Sequence, residues 1–186
     1  MTRIDWWTAV GLDLAIDLAN SAPDLDRPDL LLDPILQAGW RRRSGAPDEA
    51  TADRLVDLRD SIRAVLVPVA SGVALADPGL ARGIAGLNRL AASAPTVPQI
   101  EDGELVYVAR ASPPDAFAAE VAAAALETAA GRRGRLRACA RTGCGRLFVT
   151  TRARRTWCGD RCGTRARVAR HRQTIDAPAR RATQTG

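Results

Sequence analysis

Cys139, Cys144, Cys158 and Cys162 are the four cysteines of the chain, and they fall in two close pairs. The spacing is C-x4-C-x13-C-x3-C, within a segment crowded with arginine. Two close pairs joined by a short loop suit one tetrahedral cage. Four thiolates hold zinc with no redox liability. Gly143 and Gly145 flank Cys144 and permit a tight knuckle that aims two sulfurs inward. Cys158 and Cys162 are four residues apart. A helix starting near Cys158 puts both sulfurs on one face, at the positively polarised end that favours thiolate. Between the pairs, Leu147-Phe148-Val149 and Trp157 predict a short hairpin, with Phe148 and Trp157 as the small core of the module. The expectation is one structural Zn2+ per chain. A four-cysteine site is closed to water and substrate, and its binding energy is the folding energy of a module too small to build its own core. An iron–sulfur cluster, a redox pair and inert buried thiols are the competing uses of such cysteines. His171, the single histidine, lies beyond a ligand set that is already complete.

The arginines say what the cage presents. Arg161, Arg165 and Arg172 fall near one helical stripe, with Arg167 and Arg170 beside it and His171 on the same helix. Val168 is expected to face the module core. Arg152, Arg154 and Arg155 precede Cys158 on a loop. Charge is sharply partitioned along the chain. Residues 1–131 hold 11 Arg against 19 acidic residues, whereas residues 132–186 hold 16 Arg against Asp160 and Asp176. A basic module on an acidic body suits polyanion binding. Duplex DNA is the first expected partner, contacted by these nine basic residues through phosphates and base edges. Structured RNA and an acidic protein surface are the alternatives. A homodimer would supply the second finger that a long duplex site usually needs.

The elements that must carry this module read as α+β: a mainly helical N-terminal domain with a β-hairpin over 1–131, a treble-clef-like zinc module over 132–175, and a flexible tail over 176–186. Trp7, Val10, Leu14 and Leu18 predict a first helix that stops at Asn20-Ser21-Ala22-Pro23. Leu30 to Trp40 is a short helical candidate. Asp48 to Ala70 is the longest, with Leu55, Leu58, Ile62, Val65, Leu66 and Val69 on one face and Pro68 expected to end or kink it. Leu80 to Ala92 turns Ile84, Leu87 and Leu90 inward. Asp102-Gly103 between two alternating runs predicts a hairpin. Ser112-Pro113-Pro114-Asp115 caps an alanine-rich helix over Phe117 to Ala130, and Gly131 to Gly134 is expected to act as a hinge. No segment has the roughly 20 apolar residues needed to cross a bilayer, and the N-terminus lacks signal-peptide character, so a cytoplasmic protein is expected. One histidine, no surplus cysteine and no P-loop or dinucleotide motif argue against an enzyme. Asp17, Asn20 and Arg59 are candidates to line a polar ligand pocket. Against this, Asn20 can end a helix and Asp17 can pair with an arginine.

The quoted residues resemble a known family. Cys139…Cys144-Gly-x-Leu-Phe, Arg-Arg-Thr-Trp-Cys158 and Cys162-Gly-Thr-Arg-Ala-Arg-Val-x-Arg-His resemble the CGNR zinc finger. Leu14-Ala-Ile-Asp17-Leu-Ala-Asn20-Ser21 resembles the opening of the ABATE domain that precedes it. Leu58-Arg59 and Leu87-Asn88-Arg89-Leu90 fit the same pattern. The resemblance implies a stress-response transcription regulator, a description that is itself an inference about the family, with the finger expected on DNA. Two positions depart from it. The signature Cys-Gly-Asn-Arg is Cys162-Gly163-Thr164-Arg165 here, and the family Asn-Thr is Asn20-Ser21. Thr164 would alter specificity if the family asparagine contacts a base, and little if it makes a local hydrogen bond.

Overall fold

In the second α-helix among the described residues, α2 (Ala50–Ala70), an apolar stripe with helical period decides what is buried. Leu55, Leu58, Ile62, Val65, Leu66 and Val69 are all buried. The computed structural model describes residues 2–4, 10–24, 27–32, 50–132 and 134–182. Pro68 does not interrupt α2, because it sits in the last turn, where one lost amide bond matters little. The helix stops two residues later. The Val73 amide donates to the Pro68 carbonyl and the Gly72 amide to the Val69 carbonyl, each at 3.0 Å. Gly72 takes the left-handed conformation that this C-terminal motif requires (φ 97°).

Around α2 pack α1 (Val10–Ala19), α3 (Ala81–Ser93) and α4 (Pro113–Gly131). Leu14 and Leu18 of α1, Leu87 of α3, and Phe117 and Val121 of α4 join one core with the α2 stripe. α3 fits closely because Gly83 faces α2; a Cβ there would lie 2.9 Å from Val65. α4 is buried on most of its circumference, which its alanines make feasible. Its start is capped as expected, with the Ser112 hydroxyl oxygen accepting from the Asp115 amide at 3.4 Å and its proton going to the Asp115 carboxylate at 2.6 Å.

β2 (Thr96–Glu101) and β3 (Glu104–Ala109) form the expected hairpin, with Asp102 and Gly103 at φ 51° and 83°. β1 (Thr2–Ile4), which the sequence does not announce, pairs with the other side of β3, so the order is β1-β3-β2, all antiparallel. With Glu101 opposite Glu104 as the pair closing the two-residue turn, the register aims the Pro98 nitrogen at the open edge of β2. A missing donor there blunts the edge against strand addition.

β4 (Leu136–Ala138) and β5 (Leu147–Val149) form a second, two-stranded sheet, followed by α5 (Asp160–Ala182). Three expectations are corrected here. The hairpin of the zinc module pairs β5 with β4, upstream of Cys139, and does not span the residues between the cysteine pairs. Leu136 and Leu147, both fully buried, belong to the same core as α1, α2 and α4. The amides of Arg135 and Leu136 both donate to the Arg132 carbonyl at 2.8 Å, which leads the chain into β4. Finally, α5 continues past Ile175 to Ala182, where a flexible tail is expected. Leu30–Leu32 is a single 3-10 turn. Trp7 and the remainder of the Leu30–Trp40 candidate, residues 33–40, lie outside the described residues. The architecture is α+β, with five α-helices among the described residues. No described helix is long and apolar enough to cross a membrane.

Candidate metal centre and its arginine surface

The knuckle between β4 and β5 is made by two left-handed glycines, Gly143 at φ 75° and Gly145 at φ 62°. The Cys139 amide donates to the Arg146 carbonyl at 2.8 Å and the Cys144 amide to the Arg141 carbonyl at 3.0 Å, which closes the turn on its two sulfurs. The Ala140 amide donates to Thr156 at 2.9 Å, drawing in the chain that leads to Cys158. α5 begins at Asp160, so Cys162 lies in its first turn and Cys158 just before it. The four Sγ atoms lie within 4.8 Å of one another. Cys144–Cys158, Cys144–Cys162 and Cys158–Cys162 are 3.8, 3.7 and 3.6 Å apart. A tetrahedron with metal–sulfur bonds of about 2.3 Å has edges of about 3.8 Å, so the donor set fits zinc.

Electrostatics agree with a metal centre. Burial, then contact with the other cysteines, holds the Cys158 thiol far above its ordinary value, and burial also raises Cys144. Ionised sulfurs in this position need a cation to offset them. Burial also opposes ionisation of Cys162, but hydrogen bonds from Arg141 and then from its cysteine neighbours outweigh it and lower the thiol. Arg141 thus braces a ligand from outside the cage.

One of the nine expected nucleic-acid contacts, Arg155, is engaged within the module. Arg155 donates to the Trp157 carbonyl at 3.1 Å and to the Cys158 carbonyl at 2.6 Å. Its guanidinium lies 4.9 Å from the centre of the Phe148 ring. It therefore holds the second cysteine pair in place. Phe148 is buried and Trp157 half-buried, the latter against Gly163, where a Cβ would lie 3.4 Å from the indole. Arg152, Arg154, Arg161, Arg165, Arg167, Arg170, His171 and Arg172 are exposed. Arg167 donates to the Thr164 hydroxyl at 3.0 Å, so the departure from the signature makes a local bond on the helix surface. Val168, expected in the module core, is 45% exposed, because α5 has already left the cage.

Asp17, Asn20 and Arg59 are not gathered around a ligand by their contacts. Asp17 is exposed on α1. Arg59, buried, donates to both oxygens of Asp29 at 2.6 and 2.7 Å and to Asp60 at 3.0 Å. Burial works against its charge, yet these acceptors outweigh that and raise its pKa. Asn20 donates to the Leu147 carbonyl at 2.9 Å and accepts from the Leu147 amide at 2.8 Å. A carboxamide alone among short side chains offers both functions side by side. Arg63 reinforces the joint by donating to the Ala19 carbonyl at 2.8 Å and more weakly to Gly145 at 3.4 Å. Ser21, buried, donates its hydroxyl to the Leu18 carbonyl at 2.7 Å.

Comparison with known families places this geometry. Residues 12–132 match the ABATE family, whose description reads "Putative stress-induced transcription regulator". The chain belongs to the ABATE family. Residues 135–174 of this ABATE protein match the CGNR zinc finger, and with the fit of its four sulfurs the cage is a structural zinc site. No curated protein gives a significant match to the chain. The Asn20 clasp shows why an asparagine suits the opening of the ABATE segment: it holds the finger. Asn20→Ala leaves both polar groups of buried Leu147 without this partner. We expect a loss of about 2–4 kcal/mol, read as a lower urea midpoint at unchanged slope. A loss below about 0.5 kcal/mol, the scale of an ordinary surface change, would show that the clasp carries no stability.

Proposed function

We propose that this ABATE protein is a DNA-binding regulator whose zinc cage aims α5 at duplex phosphates. The observation that carries the reading is the state of α5. Arg161, Arg165 and Arg172 project from one stripe of a helix whose side chains are exposed from Thr164 to Arg172, apart from half-buried Ala166. Val168 falls within that stripe, an apolar contact among cations, as suits a helix lying in a groove. Arg152 and Arg154 extend the surface on the preceding loop, whereas Arg155 acts on the cage. The role is one of binding: the cysteines are consumed by the metal, and His171 stands exposed on α5. A sensory role for the N-terminal body is the natural complement, since Asn20 and Arg63 tie it to the finger.

The test uses the full zinc-loaded chain with a mixed-sequence duplex across a salt series. The logarithm of affinity should fall linearly with the logarithm of salt, with a slope of about −0.9 for each phosphate contacted. Arg165→Ala and Arg170→Ala should each weaken binding and reduce the slope by about one contact. Structured RNA displacing the duplex at equal concentration, or salt dependence unmoved by both substitutions, would overturn the reading.

A further inference from the structure

A cavity of about 120 Å3 opens beside the cage. Its walls come from distant parts of the chain. Asp24 and Arg27 lie beyond α1, Arg141 and Arg146 lie in the knuckle, and Arg161 and Arg165 lie on the first turns of α5. Three cage cysteines and Gly159 complete the lining, so the cavity lies against the face of the tetrahedron away from Cys139.

The charge in this cavity calls for an anion. Arg27 donates to Asp24 through Nε at 3.1 Å and Nη2 at 2.8 Å, and the Asp24 side chain is almost fully buried. That pair is neutral, and it fixes a guanidinium in the wall. Four further arginines line the cavity beside a cage whose Zn2+ and four thiolates together carry two negative charges. With five arginines against one carboxylate among its lining residues the wall is basic, and a bound anion would ease the repulsion between them. Each has five donors in a planar fork, so one arginine can brace a sulfur and still reach an oxyanion. The amino end of α5 opens on the same space at Gly159 and adds its partial positive charge, which Asp160 in the first turn partly offsets. A tetrahedral oxyanion is matched to the cavity in size, charge and demand for donors.

We propose that this cavity binds a single phosphate group, held between the N-terminal body and the finger. The group comes either from a nucleic-acid backbone or from a free phosphate. The site does not depend on the DNA reading, since Arg27, Arg141 and Arg146 lie outside α5 and its preceding loop. It would make the finger responsive to an anion that the N-terminal body also touches.

The experiment is calorimetric titration of the full-length, zinc-loaded protein with inorganic phosphate, at ionic strength held constant with chloride. One saturable site per chain is expected. Arg146→Gln should weaken it at least tenfold with zinc content unchanged, because the Arg146 side chain is exposed and its backbone carbonyl keeps its bond to Cys139. The double change Asp24→Asn with Arg27→Gln should do the same without stranding a buried carboxylate. In a second arm, duplex DNA is bound with and without phosphate. Competition, with a salt slope lowered by about one contact in Arg146→Gln, assigns the site to a backbone phosphate. Saturable phosphate binding with no duplex bound by the unsubstituted chain assigns the site to a free phosphate and refutes the DNA reading alone. No saturable phosphate binding, together with unaltered duplex affinity in both variants, overturns the proposal.

Discussion

Chelation of the zinc is expected to lower the melting temperature of the whole chain, not only to unfold the finger. The metal in a four-cysteine site contributes about 10–16 kcal/mol of apparent binding free energy at neutral pH. Its loss returns Cys144 and Cys158 to the protonated form that their burial favours. α5 cannot stand without the cage: Arg161 and Arg165 are like charges one turn apart, and its described side chains beyond Cys162 bury almost nothing. The consequence reaches the body through β4 and β5. Leu136 and Leu147 fill the core formed by α1, α2 and α4, and each fully buried leucine contributes about 1.5–3 kcal/mol. Asn20 loses its partner in the same event. These losses are comparable with the total stability of an ordinary domain, about 5–15 kcal/mol. Metal analysis should give one zinc per chain, and Cys144→Ser should lower both zinc content and melting temperature. With chelator, circular dichroism should lose helix beyond the length of α5, and all four thiols should become titratable. A body that melts at an unchanged temperature after chelation would show that module and body do not share their stability.

Much of this was legible in the sequence wherever the signal was local. The α2 stripe has the helical period, the Asp102-Gly103 turn needs positive φ, and the Gly143-Cys144-Gly145 knuckle places its own sulfurs. What escaped is what joins distant segments. β1 and β4 have three residues each, too few for an alternating pattern to stand out. Asn20 reads as a helix stop, and nothing near it points to Leu147, 127 residues away. Arg141 and Arg146 lie within the knuckle, so their place beside the metal could have been inferred from the cysteine spacing. Arg27 could not. Arg155 looks like any other arginine in a basic loop until Phe148 and the carbonyls of Trp157 and Cys158 are seen to hold it. Val168 failed for the opposite reason: an apolar residue at helical spacing predicts a core only where a second element exists to cover it.

Glu120 should make the protein less stable as pH rises from about 5 to 9, the reverse of what paired carboxylates do. It lies within α4, and its Oε2 is buried with no hydrogen-bond partner. Burial pushes its carboxyl up to about 8. The sign follows from which state holds the proton. Below about 4.5 the group is protonated whether the chain is folded or not, and it imposes no penalty. Between there and about 8 the unfolded chain releases the proton while the folded chain keeps it, so each pH unit lowers stability by up to about 1.4 kcal/mol. Allowing for relaxation around the charge, the full change should be about 2–4 kcal/mol. The zinc thiolates respond in the opposite direction, because higher pH favours their ionised form. The informative quantity is therefore the difference between wild type and Glu120→Gln in saturating zinc. Glutamine keeps the shape and carries no proton to lose, so its urea midpoint should gain on that of the wild type from about pH 5, and the gain should level off above about pH 8. Parallel profiles for the two proteins across this range would mean that Glu120 is ionised in the fold. In that case a cation or water must reach its carboxylate.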